Sequence, residues 1–338
     1  MKKKYPAIPL LLILTGLLAG ATPVHDLYLF GAVNIAGRVA GSRDVAKNGV
    51  YGRQADGSFA HRGINYPAML TGSFDPRDSQ VFHVAALCGV MTTTDGGHTW
   101  RIGTRWDMTE PKSVMVDPNA PDTVYAALPD GLGVSTDRGH SWSRHENGLP
   151  ERGKYTQVVT VDRTQAGRVF AGCETGIYFT EDAAQNWRRV FVTVDTVTDI
   201  RQSPHDPRHW LAVTQSAGAV MSRDSGLTWE KIAGLPTGQA SFNVVFDPTR
   251  ANRLAVSSWS LGLLTSEDGG VTWTARNDGL PENHRVWRTA IDPDTGMLLA
   301  DVDGDTLFAS DDFGRTWRSI GMAGSRIQSF VFVPRVQP

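Results

Sequence analysis

The chain has 338 residues, 41% of them hydrophobic and 20% charged, with a formal charge of −2 and only two cysteines. A mildly acidic chain without a basic run lacks the electrostatic footprint of a nucleic-acid binder. The length allows one large domain or two small ones.

Taken from the start, Lys2, Lys3 and Lys4 form a basic segment, residues 10–18 are almost wholly apolar, and Ala19-Gly20-Ala21 fits a small-residue cleavage site. This is the pattern of a secretory signal over residues 1–21, with an apolar run too short for a membrane span. The mature chain, residues 22–338, is then expected as a single domain in the periplasm or secreted, without a membrane span. Its formal charge is −5, because the signal carries three lysines and no acid.

From residue 93 onward an eight-residue phrase, Ser/Thr-x-Asp-x-Gly-x-Thr/Ser-Trp, recurs six times. Its aspartates are Asp95, Asp137, Asp182, Asp224, Asp268 and Asp312, and its tryptophans Trp100, Trp142, Trp187, Trp229, Trp273 and Trp317. The tryptophans are 42, 45, 42, 44 and 44 residues apart. The third copy is degenerate, with Ala184 for Gly and Asn186 for Thr. About 25 residues before most copies an apolar run ends in Asp-Pro, as at Asp75-Pro76, Asp117-Pro118, Asp247-Pro248 and Asp292-Pro293. Proline lacks an amide donor and fixes φ, so this pair stops a strand. A period near forty residues filled with short strands predicts an all-β propeller of four-stranded antiparallel blades.

Six phrases do not limit the ring to six blades. One period before Trp100, residues 49–59 read as a worn third and fourth strand with Phe59 in the tryptophan place. Residues 326–334 match a first strand and then stop. The two ends together predict a seventh blade that closes the ring and removes the free sheet edges; six blades is the alternative. Cys88 and Cys173 fall in the first and third of these blades, too far apart to bridge, and are expected as two buried thiols.

Within the phrase, aspartate accepts backbone amides in a tight turn, glycine supplies positive φ, and tryptophan buries apolar area. Six equivalent aspartates cannot converge on one substrate, so the phrase reads as scaffold. The phrase resembles the Asp-box, or bacterial neuraminidase repeat. The resemblance implies that the box joins the third and fourth strands, on the face opposite the usual ligand face. Sialidases, xyloglucan hydrolases, sortilin-type receptors and the photosystem II stability/assembly-factor propellers share it. The early Phe/Tyr-Arg-Ile/Leu-Pro motif of sialidases is missing, since none of Arg38, Arg43, Arg53 and Arg62 is followed by Ile/Leu-Pro. Xyloglucan hydrolases set their two acids between two propellers. The chain is most similar to the assembly-factor-like group, which implies a non-enzymatic binding or assembly scaffold with a protein client or a glycan.

Candidate ligand contacts then lie in the loops of the opposite face. They are Trp106, Trp259 and Trp287, with Arg105, Arg152, Tyr155, Arg285 and Arg288; exposed aromatics suit sugar stacking or a protein hot spot. The rival reading is a glycoside hydrolase, for which Asp301, Asp303, Glu151 and Glu174 are the candidate carboxylates. Asp301-Val302-Asp303-Gly304-Asp305 lacks the twelve-residue ligand pattern of a calcium loop and reads as a turn. Counted two and four residues back from each Asp-Pro site, the innermost strands give a small, nearly uncharged set without paired carboxylates. The histidines show no metal-ligand spacing. A monomer without metal or cofactor is expected. Cleavage after Ala21 predicts that intact-mass analysis of exported protein finds a chain lacking residues 1–21; a retained signal would refute it.

Overall fold

Short runs of β-branched and aromatic residues cut by Gly, Pro and Asp make strands too short to bury both faces alone. The computed structural model describes residues 24–38, 46–66 and 68–335, so the expected signal lies outside the described residues. These residues form seven four-stranded sheets, each paired antiparallel throughout. Six blades are continuous in sequence: residues 69–102, 113–144, 156–192, 197–231, 241–275 and 286–319. The seventh is split, with Arg326–Pro334 innermost, followed by His25–Val33, Lys47–Arg53 and Phe59–Arg62. The seven-bladed reading holds.

Hydrophobic clusters sit between blades, not within them. Tyr125, Leu132, Val159 and Val169 join the second blade to the third. Leu29, Leu299, Leu307 and Ile327 join the sixth to the seventh, and Phe30, Val50, Phe82 and Val84 join the seventh to the first. Equivalent seams fill the four other junctions. At the closing blade Leu29 pairs with Phe330 and Leu27 with Phe332.

The innermost strands leave one edge without a ladder partner, and an unpaired buried amide is costly. Polar side chains of the preceding blade take those amides. Val114 N donates to Thr71 Oγ1 (3.0 Å), Val159 N to Ser113 Oγ (2.8 Å), Val244 N to Asp199 Oδ2 (3.1 Å) and Thr289 N to Asn243 Oδ1 (3.0 Å). The small polar set expected along these strands therefore stitches neighbouring blades together.

Each repeated phrase folds as a turn between the third and fourth strands. In the second blade Ser135 Oγ and Ser141 N both donate to Asp137 Oδ1 (2.8 Å each), and Ser141 Oγ to Oδ2 (2.6 Å). These bonds, led by that from Ser141, hold the Asp137 carboxyl down at about 2. The turn needs two successive left-handed residues, a demand that favours glycine. Gly139 has φ +78° and the residue before it, Arg138, +60°. In the degenerate copy Ala183 and Ala184 adopt the same conformation, at +56° and +68°. Trp142 Nε1 closes the turn on Gly139 O (3.3 Å) and Trp100 Nε1 on Gly97 O (2.8 Å). The worn seventh copy keeps its carboxylate, with Ser58 N donating to Asp56 Oδ1 (2.9 Å).

Cys173 is buried and Cys88 half-buried in the turn after its second strand, so only one of the two expected buried thiols is fully so; both are free. Burial pushes the Cys173 thiol up to about 12. Because the ring closes only through residues 326–334, truncation after Gly324 is expected to lower Tm by about 10 °C or more, a loss of several kcal/mol for a domain of this size. An unchanged melting curve would contradict closure.

Candidate functional site

The face opposite the phrase turns is built from the links between blades and the turns between second and third strands. On the innermost strands the ladder register slips once near this face in six blades. The extra residues are Leu70, Gln157, Thr198, Phe242, Trp287 and Gln328. Lys112, whose amide donates to Ala127 O (2.8 Å), holds the same place in the second blade. A bulge re-aims its side chain; Lys112, Gln157, Thr198, Phe242 and Gln328 line the mouth of the central channel, while Leu70 packs on the first–second seam.

At the mouth Phe242, Trp259 and Trp287 form one aromatic cluster. Ring centroids are 4.3 Å apart for Phe242–Trp287, 5.9 Å for Phe242–Trp259 and 6.0 Å for Trp259–Trp287. Guanidinium groups cover the ring faces, Arg285 4.9 Å from Trp259, Arg288 4.8 Å from Trp287 and Arg326 5.9 Å from Trp287. Trp287 Nε1 donates to Gln328 Oε1 (3.1 Å). The structure thus brings Trp259, Trp287, Arg285 and Arg288 together. Phe242 and Arg326 join them without having been singled out in the sequence.

The other candidates stand elsewhere on this face. Trp106 is 87% exposed, two residues before the buried Met108 that anchors its loop between the first and second blades. Leu87, whose carbonyl accepts the amide of Glu110 from the same loop (3.1 Å), is also exposed. Charged pairs rim this spot: Arg105–Asp107 (3.2 Å), Arg144–Asp130 (2.8 Å) and Arg144–Glu146 (2.7 Å). Arg152 and Glu151 are exposed on the link to the third blade. Tyr155 is half-buried, its hydroxyl donating to Gln157 Oε1 (2.8 Å), with Lys112 Nζ 5.9 Å from its ring.

Of the four carboxylates weighed for hydrolysis, none lines the central channel. Asp301 is fully buried between the sixth and seventh blades, accepting from Ser325 Oγ (2.5 Å) and Ile327 N (2.9 Å). Burial pushes its carboxyl up to about 7. Asp303 pairs with Arg326, through Nη2 at 2.9 Å, and Glu174 Oε1 accepts Tyr155 N (3.1 Å). Residues 303–305 form a turn, with Asp305 N donating to Val302 O (2.9 Å).

The channel lining is more charged than the expected nearly uncharged set: besides Arg288, which that set contains, Lys112, Arg163, Asp199, Arg201 and Arg335 line it. In the fourth blade Ser203, not Asp206, occupies the strand-ending place: its amide donates to His209 O as that of Asp117 does to Thr123 O. Counting back from the wrong residue passed over Asp199 and Arg201. Arg201 Nε donates to Asp199 Oδ2 (3.0 Å).

A family model described as photosynthesis system II assembly factor YCF48 matches residues 67–222, a little under half of the chain. No curated protein sequence matches the chain. Among solved structures it is similar in fold to the GH74 xyloglucanase from Xanthomonas campestris (TM-score 0.66, 19% identity). That match covers 87% of this chain but only 54% of the xyloglucanase, so the chain spans about half the enzyme's length. It is similar to YCF48 bound to D1 peptide (TM-score 0.57, 19% identity), over 76% of this chain and 87% of the other. YCF48 from Cyanidioschyzon merolae gives the same TM-score at 17% identity, over 76% and 86%. No helix among the described residues is long and apolar enough to cross a membrane.

Asp301 supplies a pH signature for the closing seam. Its folded-state pKa of about 7 lies above that of an exposed carboxyl, so the folded chain holds a proton that the unfolded chain releases. The contribution is full below the unfolded value near 4 and is lost as pH rises through about 7, worth on the order of a few kcal/mol. Asp301→Asn is expected to flatten the fall in Tm between about pH 4 and 7; an unaltered slope would refute the assignment.

Proposed function

We propose that the chain is an exported, non-enzymatic binding or assembly scaffold that holds a protein client on the face opposite the phrase turns. The observation that carries this reading is Trp106, 87% exposed on a loop that is tied to the exposed Leu87 through Glu110 and flanked by ion pairs. A large aromatic held in water, on a loop joined to a second exposed apolar residue and flanked by ion pairs, has the composition of an interface anchor. The buried Met108 fixes the loop that presents it, so little ordering cost remains to be met on binding. The match to the assembly-factor family model supports the scaffold role, and a propeller of similar fold has been solved bound to a peptide.

The hydrolase alternative needs two carboxyl groups about 5–10 Å apart in one ligand-face pocket. Asp301 and Asp303 are committed to the seventh blade, Glu174 to Tyr155 N, and Glu151 stands exposed on a link. No specific observation favours that reading.

The test is cross-linking and pull-down of native exported proteins, with wild type compared against Trp106→Ala and Val271→Ala. Val271 is 70% exposed on the phrase face and serves as control. Trp106→Ala is expected to weaken client retention by about 30-fold or more, the scale of an interface hot spot, with Tm little changed. Val271→Ala should retain the client. Retention indifferent to Trp106, or turnover of a fluorogenic sialoside or of xyloglucan by the purified chain, would contradict the proposal.

A further inference from the structure

The seven innermost strands enclose a channel of about 750 Å³, within the roughly 300–1,000 Å³ of small-molecule pockets. Met115, Val245 and Phe330 present part-exposed apolar surface to it, and Ala290 lies beside them. The two carboxylates on its wall are already spent. Asp75 pairs with Arg77 (2.7 Å) and Arg138 (3.1 Å), and Asp199 with Arg201 and the amides of Ile200 and Val244 (3.1 Å each).

Arg288, also on the wall, is different. Its Nε donates to Gln328 O (2.9 Å) and its Nη1 to Trp287 O (3.0 Å), both backbone carbonyls. Among the described residues no carboxylate lies within ion-pair distance of it, and its Nη2 donates to no protein atom. Burial pulls the guanidinium down to about 10, which leaves it charged at neutral pH. Packing against the Trp287 ring fixes its plane. A half-buried charge held by two backbone carbonyls, with Asp199 and Asp301 acting on it only from beyond ion-pair distance, is complementary to one kind of small ligand.

We infer that the channel binds a small amphipathic carboxylate, its anionic head paired with Arg288 and its apolar body against Met115, Val245, Ala290 and Phe330. The ring faces at the mouth already carry Arg285, Arg288 and Arg326, so a cationic or quaternary-ammonium ligand finds no free aromatic face there. This site is separate from the surface at Trp106 and does not rest on the client reading; either can fail alone.

The experiment is calorimetric titration of the full mature chain at neutral pH with 2-naphthoate and, in parallel, with neutral 2-naphthalenemethanol. The carboxylate is expected to bind one per chain and about ten-fold tighter than the alcohol, the size of one charge-assisted pair. Arg288→Gln should erase that preference, and Arg288→Lys should keep part of it. Ala290→Phe, which fills the middle of the channel, should remove binding of both. Arg163→Gln, at the opposite mouth, should leave the affinity unchanged. Melting curves confirm that each variant is folded. Absence of naphthoate binding, equal affinity for the alcohol, or indifference to Arg288→Gln or Ala290→Phe in a folded variant would overturn the inference.

Discussion

No blade of this protein can bury its own faces; each is covered only by its neighbours. The apolar clusters fall at the seams between successive sheets, so every seam depends on the two beside it and the series is stable only when it returns to its start. Closure falls to one segment, Arg326–Pro334, which adds to His25–Val33 and seals both the sixth–seventh and the seventh–first seams. The phrase turns and the polar stitches between innermost strands serve the same end. They hold adjacent sheets in register so that the seams can pack.

Much of this was legible in the sequence because a propeller repeats its punctuation. Asp137 and its equivalents fix one turn per blade, and the step between tryptophans points to Phe59 and Asp56 as the worn seventh copy. The first strand at residues 326–334 is readable for the same reason: its apolar period has no partner nearby in the chain. Cys88, expected as a buried thiol, is only half-buried because it lies in the turn beyond the second strand.

The channel was harder to read, and for a definite reason. A bulge adds one residue to the innermost strand, so side chains counted at two-residue steps no longer share a side. The residue five places before each strand-ending site was therefore skipped, although that column holds Lys112, Phe242 and Trp287. The signal was present in the column that the regular strand period passes over. In the fourth blade a serine stands where others have aspartate, which hid the Asp199–Arg201 pair as well. Asp301 shows the opposite limit: an acidic run in sequence resolves into one turn plus a buried carboxyl that anchors the closing strand.

Backbone amide exchange within residues 326–334 tests ring closure most directly. If these residues complete the ring, the amides that pair with His25–Val33 exchange only with global unfolding, as slowly as those of the second strands of the other blades. Rapid local exchange there, with the other blades still protected, would mean that the ring stands without its closing strand and would contradict the account.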